Sequence, residues 1–360
     1  MLRNEGVTIM NPRRNQRRFA PAACALIALI TGLVCASPAH AQTTFSGRAF
    51  AAFVSTPLTG PMFISDTGQL PPSGGARDDA LLDTRDLGLA TLNSVLTAEV
   101  LAASTSGASG EADSSASLAN VVVLPGNAAQ VTASFVQAES QATCSGVSGS
   151  SEIAGLTFGG TAITVTGQPN QTITLPGGAT LIINEQKTTS NGTFRQIQVN
   201  ALHLTVPGVA EVILSSAESD INCTGTTTQG PCQDFVTGGG WIVTTGTSHG
   251  NFGVNAGFKP ESLAPTVHLN YTDHASGMKV KATSITVYRP GPTATSRHFT
   301  GSAAVDGVDG YGYSVDLADN GEPGKDADTF SITLSNNGRV VYQAGGTLEG
   351  GNIQLHKPCP

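Results

Sequence analysis

The sequence predicts an all-β protein made of two β-sandwich-like domains in tandem after a cleaved signal peptide. Charged residues make up only 12% of the chain and aromatic residues 5%, so Ser, Thr, Asn, Gln and Gly must form most of the surface. This composition suits short strands and turns better than helices. Short apolar stretches alternate with Gly, Pro and Asn turn signals along both halves. A stretch rich in Thr, Gly and Gln, 224–231, separates the halves and has the composition of a hinge.

The first 41 residues have the features of a secretory signal peptide. A basic stretch, 13–18, precedes an apolar run, 22–36, and Ala39-His40-Ala41 is an A-x-A cleavage signal. We therefore expect a mature chain that begins at Gln42 and is secreted or displayed at the cell surface. No second long apolar run follows, so no transmembrane segment is expected after cleavage. The alternatives are a retained membrane anchor and a lipoprotein modified at Cys35.

The charge of the mature chain restricts its partners. Loss of the leader, with five Arg and one Glu, leaves 13 basic and 25 acidic residues and a net charge of −12. Such a surface repels nucleic acid and anionic lipid head groups. We expect no nucleic-acid partner, and the surface or extracellular ligand is not identified by the sequence.

The first half carries a series of short strand signals. Residues 55–86 are rich in Pro and Gly and predict a long loop, which follows a first strand at 43–54. Residues 87–103 favour a strand, turn, strand interpretation, although their composition also permits a helix. Apolar residues alternate in 130–144, and Asn191-Gly192 is a good tight-turn dipeptide between later strands. The regular spacing of strands and turns is typical of a sandwich or barrel-like domain.

The second half opens with three glycines, Gly238, Gly239 and Gly240, followed by Trp241, the only tryptophan. The glycines allow the backbone to turn tightly or to approach a neighbour closely, and the tryptophan can anchor a core. Strand signals continue to residue 356 and give eight or nine strands. That number suits one compact β-sandwich.

Long motifs in the second half resemble the post-COAP domain. They are FVTGGGWI (235–242), LNYTDHASGMKVKA (269–282), GSAAVDGVDGYGYSVDLADNGEPGKDADTF (301–330) and GGTLEGGNIQLH (345–356). The first half resembles the choice-of-anchor P family. The evidence there is the start FSGRAFAAFV (45–54), the Ala-rich end of 131–144 at Cys144, and the close at SDINC (219–223).

These resemblances imply a domain order and a function class. The order is a signal peptide at 1–41, a choice-of-anchor P-like β domain at 42–224, a linker at 225–233 and a post-COAP-like β-sandwich at 234–358. The resemblance implies a secreted or surface-displayed bacterial protein with no catalytic residues to carry over. We therefore expect a non-enzymatic protein with a structural, adhesive or matrix-binding role at or near the cell surface.

Four cysteines remain in the mature chain: Cys144, Cys223, Cys232 and Cys359. An even number in an exported chain predicts disulfides, with three possible connectivities. Pairing of Cys144 with Cys223, and of Cys232 with Cys359, would close each domain on itself. Pairing of Cys223 with Cys232 across the linker is the alternative. The spacing lacks the close C-x-x-C pairs of most zinc sites.

An acidic stretch near the C-terminus is a candidate calcium site. Its oxygen-bearing side chains are Asp316, Asp319, Asn320, Glu322, Asp326 and Asp328. Oxygen ligands crowded on one loop are what a hard cation needs, but their order does not fit the EF-hand pattern. The interpretation we favour is a solvated hairpin loop in which Asp, Asn and Gly serve turn geometry. No cofactor is therefore expected, with calcium as the one candidate.

The sequence contains neither the catalytic motif H-E-x-x-H nor a Walker-type phosphate loop. A secreted carbohydrate-active enzyme is the alternative function, because such enzymes work with two facing carboxyl groups. The candidates in the first half are Glu139, Glu152, Glu185, Glu211 and Glu218. A carbohydrate-binding module is a further alternative, weakened by the presence of only one Trp and five Tyr.

His268, Asp273 and His274 are candidate metal ligands, although the two histidines do not share a strand face.

Overall fold

The computed structural model describes residues 43–223, 234–259, 262 and 264–356. The elements of the first range are β1 (Thr44–Thr56), β2 (Gly60–Asp66), β3 (Gly75–Asp83), a 3-10 turn (Thr84–Leu87), α1 (Ala90–Asn93), β4 (Leu96–Ala108), β5 (Glu111–Val123), β6 (Val131–Thr143), β7 (Val147–Ala154), β8 (Thr157–Phe158), β9 (Thr161–Ala162), β10 (Gln171–Thr174), a 3-10 turn (Pro176–Gly178), β11 (Thr180–Asn191), β12 (Phe194–Val206) and β13 (Ala210–Asn222). The later ranges hold β14 (Phe235–Val243), β15 (His249–Gly257), β16 (Thr266–Asp273), β17 (Met278–Pro290), β18 (Ser296–Val305), β19 (Val308–Ala318), β20 (Thr329–Asn336), β21 (Arg339–Thr347) and β22 (Gly350–His356). The all-β prediction is confirmed.

Strands β1 to β13 form two antiparallel sheets that share one apolar core. The first sheet has the order β10-β11-β12-β13-β1-β2, and the second has the order β3-β4-β5-β6-β8-β9, with β7 also paired to β6. Leu118 and Val136 of the second sheet pack in the same buried cluster as Val199 and Leu214 of the first. Alternating apolar side chains along the strands supply this core, as the period-two pattern predicts.

Two local predictions in this half were wrong. The stretch 55–86 is not one long loop, because it contains β2, paired to β1, and β3, paired to β4. Their Pro, Gly and Asp content hides them in the sequence, whereas pairing at sheet edges tolerates such residues. The stretch 87–103 is not strand, turn, strand. It forms the helical turn α1, whose Leu92 is fully buried, and then enters the single strand β4.

Strands β14 to β22 form one nine-stranded antiparallel sheet. Its order is β21-β20-β19-β18-β17-β16-β15-β14-β22, and it curls so that β21 approaches β14. The curled sheet encloses an aromatic core in which the rings of Phe252 and Phe330 stack with their centroids 3.9 Å apart. The nine strands agree with the predicted eight or nine. The aromatic core of this half is enclosed by the curvature of a single sheet.

The three glycines lie inside β14. A Cβ at Gly239 would overlap the hydroxyl of Ser117 on β5, and a Cβ at Gly240 would overlap the carbonyl of Gly350 on β22. Of the two roles predicted for them, close approach is therefore the one observed. Trp241 lies at the same contact and packs on Phe135 of β6, with ring centroids 5.1 Å apart. The triplet and the tryptophan thus mark the seam between the third sheet and the second.

A disulfide joins Cys144 to Cys223, whose Cα atoms are 5.7 Å apart. It links the chain after β6 to the chain after β13 and closes the first two sheets, as predicted. Cys232 and Cys359 lie outside the described residues, and so do the leader and the predicted linker. The described residues contain no helix long and apolar enough to cross a membrane.

Candidate functional site

The acidic loop between β19 and β20 packs along β22, the edge strand of the third sheet. On one side β22 pairs with β14. On its other side three alternate backbone N–H groups each donate to a carboxylate. Gly351 N donates to Glu152 Oε2 at 2.7 Å, Ile353 N to Asp328 Oδ2 at 2.7 Å, and Leu355 N to Asp319 Oδ2 at 2.9 Å. Carboxylates therefore close an edge that would otherwise leave these donors unpaired.

Asp328 also holds the loop together. Its side chain is fully buried, and Oδ1 accepts from the backbone N–H groups of Asn320 at 2.7 Å and Gly321 at 3.2 Å. Burial raises the pKa of Asp328, while the backbone donors act in the opposite direction. Asn320 Nδ2 donates to Ala327 O at 3.0 Å. Asp316 lies on β19, outside the loop, and its Oδ1 is 2.8 Å from His298 Nδ1. Asp319, Asn320 and Asp328 are thus used in structural contacts, and Asp326 is exposed on the loop.

Glu322 is the loop carboxylate that faces a second carboxylate. Asn352 Nδ2 of β22 lies 2.8 Å from Glu322 Oε2, and 3.0 and 3.2 Å from the two carboxylate oxygens of Glu139 on β6. One amide group therefore holds two carboxylates that are 183 positions apart in the sequence. Gln137 Nε2 also donates to Glu139, at 3.0 Å.

The environment of this pair favours the protonated form of one member. Burial, and then the charge of Glu322, raises the pKa of Glu139 to about 8. Burial also raises the pKa of Glu322. Neither carboxylate forms an ion pair with a described Lys, Arg or His. Lys325 acts instead on Glu152. Burial raises the pKa of Glu152, and the backbone N–H of Gly351 and the charge of Lys325 oppose this rise.

An open pocket of about 250 Å³ lies beside the pair, where the second sheet meets β22 and the acidic loop. Its lining residues are Glu139, Ser140, Gln141, Ser148, Gly149, Ser150, Glu322 and Gln354. Hydroxyl, amide and carboxylate groups dominate this wall. We refer to the pocket, together with Asn352, as the seam pocket.

The other carboxylates considered for catalysis lie elsewhere. Glu185 accepts from His203 Nδ1 at 3.0 Å, and Glu211 lies 3.3 Å from His203 Nε2 on the first sheet. The hydrogen bond from His203 lowers the pKa of Glu185 to about 2 against the effect of burial, and that same bond raises the pKa of His203. Glu218 accepts from Gln196 at 2.7 Å. These groups form two separate contacts on β11, β12 and β13: a group of Glu185, His203 and Glu211, and the pair of Gln196 and Glu218.

The two histidines considered as metal ligands have separate partners. His268 pairs with Asp78, and His274 lies 3.0 Å from Asn120. Asp273 is used by the turn after β16, where it accepts from Ala275 N at 3.0 Å. Within 43–223, 234–259, 262 and 264–356, no three His, Cys, Asp or Glu side chains are arranged to hold a metal ion.

Sequence reasoning named Glu139 and Glu322 in two different lists and did not connect them. Nothing in the sequence pointed to Asn352, which lies in β22 between Gly351 and Ile353. The contact depends on how the third sheet seats on the second, and no local pattern encodes that placement. Alternation places Asn352 on the same strand face as Gln354 and His356, so the sequence carries no signal that marks it as buried.

Comparisons with known proteins add little. No family model matches the chain, and no curated protein matches it. Among solved structures, the chain aligns with a 2.00 Å crystal structure of a protein of Nitrosomonas europaea that carries the provisional name AttH. The identity is 8%, the alignment covers 87% of this chain and 92% of that chain, and the TM-score is 0.17. A similarity at this level carries no argument about function.

Proposed function

We propose that the protein is a non-catalytic, exported bacterial β-protein with a structural, adhesive or matrix-binding role at or near the cell surface. The observation that carries the proposal is the use of the acids. Glu152, Asp319 and Asp328 each accept a hydrogen bond from a backbone N–H of β22. These carboxylates, which were candidates for catalysis or metal binding, therefore have structural roles. The Cys144–Cys223 disulfide supports export, because such bonds persist in oxidising compartments.

The resemblance to the choice-of-anchor P and post-COAP families is part of the same proposal. Both imply display outside the cell, as does the predicted leader. The test uses the mature protein from Gln42, purified with its disulfides intact. We expect it to be retained on immobilised extracellular polysaccharide or on a glycan array, and to release no reducing sugar from the same glycans. Absence of retention on every surface would contradict the adhesive role.

One observation favours a carbohydrate-active enzyme as the second candidate. Glu139, with a pKa raised to about 8 by burial and by Glu322, has the protonation state of a general acid beside a second carboxyl group. Glu139 Oε1 and Glu322 Oε2 both accept a hydrogen bond from Nδ2 of Asn352, so the two carboxyl groups are close together. Release of reducing sugar that is lost in both Glu139→Gln and Glu322→Gln would establish this function and replace the first proposal.

A further inference from the structure

The edges of the three sheets are unequally protected. An edge strand exposes backbone N–H and C=O groups that can pair with another chain, and folded proteins shorten, charge or cover such strands. Along β22 the carboxylates described above accept from the outward N–H groups. β9 and β10 have only two and four residues, β2 contains Pro61, and β3 carries three charged residues at 77–79. Each of these features hinders pairing with a further strand.

β21, at the other end of the nine-stranded sheet, lacks these features. Its nine residues contain no proline, and no charged residue lies between Arg339 and Glu349. The side chains of Val340 and Val341 are 64% and 55% exposed. β21 pairs with β20 on one side, and no other described residue forms a hydrogen bond with its backbone. The N–H and C=O groups that face away from β20 are therefore available for pairing.

The sequence of β21 is complementary to itself when two copies run antiparallel. The half 340–342 is bulky, with two valines and a tyrosine, whereas Gly345 and Gly346 carry no side chains. Antiparallel pairing places the bulky half of each strand beside the glycines of the other. The ends also match, because Arg339 is cationic and Glu349 is anionic, and both are exposed. Neither forms an ion pair with a described residue.

The register of such a pair follows from the shape of the strand. β21 pairs regularly with β20 over 342–347, and a bulge at Val341 precedes this stretch. The two-fold axis that relates two identical antiparallel strands passes beside a residue paired with its own copy, and Ala344 lies near the middle of the regular stretch. Counting outward from Ala344 brings Arg339 of one copy next to Glu349 of the other. The same contact occurs twice, once at each end of the paired strands.

We propose that β21 is a self-association surface through which two copies of this protein join edge to edge. The nine-stranded sheets of the two copies then form one continuous antiparallel sheet, with two contacts between Arg339 and Glu349 that fix its direction. A second copy suits this edge better than an unrelated peptide, because the strand already carries the opposite charge that each of its ends requires. Backbone hydrogen bonds supply the affinity, and the charge pairs supply the specificity. The inference concerns assembly and does not depend on the ligand of the proposed function.

The experiment is analytical ultracentrifugation of the mature protein and its variants over a wide range of concentration at physiological ionic strength. We expect a monomer–dimer equilibrium for the wild type. Arg339→Glu and Glu349→Arg each place like charges at both contacts and should weaken the dimer about tenfold. An equimolar mixture of these two variants should recover association, because every mixed pair again has opposite charges at both contacts. Arg289→Glu is the matched control, since Arg289 is an exposed arginine of the same sheet, on β17.

Several outcomes would overturn the inference. These are a wild type with the mass of one chain at every concentration, unchanged association in both charge variants, a mixture that associates no better than either variant alone, or an equal loss in Arg289→Glu. Val341→Lys adds a charge on the edge itself and should also weaken the dimer. Circular dichroism melts establish that each variant is folded before it is measured. A monomeric wild type that is still retained on polysaccharide would remove the self-association and leave the adhesive role.

Discussion

At the scale of single residues, Glu139 links charge to stability. Its pKa is raised from an ordinary value of 4.5 to about 8, so the folded chain favours the protonated acid more than the unfolded chain does. For a raised pKa, the stabilising contribution is fully present below the unfolded pKa and is lost as pH rises through the folded pKa. The pH window for Glu139 therefore runs from about 4.5 to about 8.

We expect Glu139→Gln to gain stability relative to wild type as pH rises from 5 to 8.5, by on the order of 2 kcal/mol. Glutamine cannot ionise, so the variant escapes the cost that the parent acquires in this window. Urea unfolding at the two pH values measures the difference, with Glu349→Gln as the matched exposed control. An equal difference between variant and parent at both pH values would show that the Glu139 carboxyl titrates normally.

His203, on the first sheet, should produce a pH dependence of the same sign as that of Glu139. Its hydrogen bond to Glu185 raises the pKa of His203, so its contribution is present below about 6.5 and is lost as pH rises through the raised value. We expect His203→Gln to destabilise the protein by about 1 kcal/mol at pH 6, and by clearly less at pH 9. Thermal melts at the two pH values test this, and an equal loss at both would assign the effect to packing.

At this scale the sequence predicted residue types better than residue partners. The pairing of Cys144 with Cys223 was predicted from their positions at the ends of one expected domain, and the structure contains that bond. Glu139, in contrast, was one of five glutamates with equal claims. Its partners Glu322 and Asn352 come from a loop and a strand of the other half, and only the packing of the sheets brings them together.

At the scale of elements, the acidic loop acts as the lateral partner of β22. Asp328 accepts from three backbone N–H groups, those of Asn320, Gly321 and Ile353. We expect Asp328→Ala to lower the free energy of unfolding by about 3 kcal/mol, since buried donors would lose their acceptor. Asp326→Asn, on the exposed part of the same loop, should change it by less than about 0.5 kcal/mol. Chemical denaturation of the two variants separates them, and similar losses would contradict a capping role for Asp328.

The same contacts lead to a prediction about calcium. The carboxylate oxygens of Asp319 and Asp328 already accept from β22 or from the loop backbone, so they are poorly placed to surround a cation. We expect the mature protein to melt at the same temperature in millimolar calcium and in chelator. A rise with calcium that disappears in Asp326→Asn or Asp328→Asn would instead place a calcium ion in this loop.

Elements with regular alternation were predictable, and those defined by their neighbours were not. Alternating apolar residues predict strand β6, whereas β3, with Arg77, Asp78 and Asp79, has the composition of a loop. Pairing with β4 along its length supplies what local propensity lacks. The short helix α1 escaped prediction for the same reason, because the burial of Leu92 holds four residues that could not form a helix alone.

At the scale of the whole molecule, the seam between the second and third sheets connects the two halves of the described chain. Apolar, polar and charged contacts all cross it. Trp241 packs on Phe135, Glu152 accepts from Gly351 N, and Lys279 Nζ lies 2.6 Å from Asp83. Burial acts to raise the pKa of Asp83, but hydrogen bonds from Arg85 and Lys279 lower it to about 2. Asp83 is a buried carboxylate with two cationic partners, of which Lys279 lies across the seam.

We therefore expect the mature protein to unfold in one cooperative transition. Trp241 is the only tryptophan and lies in the seam, so its fluorescence reports the seam while far-ultraviolet circular dichroism reports all sheets. The two signals should have the same urea midpoint, which is a test of two-state behaviour. Glu152→Gln, which weakens one seam contact, should lower both midpoints equally. A fluorescence midpoint that falls alone would mean that the seam opens first, and that the two halves unfold as independent domains.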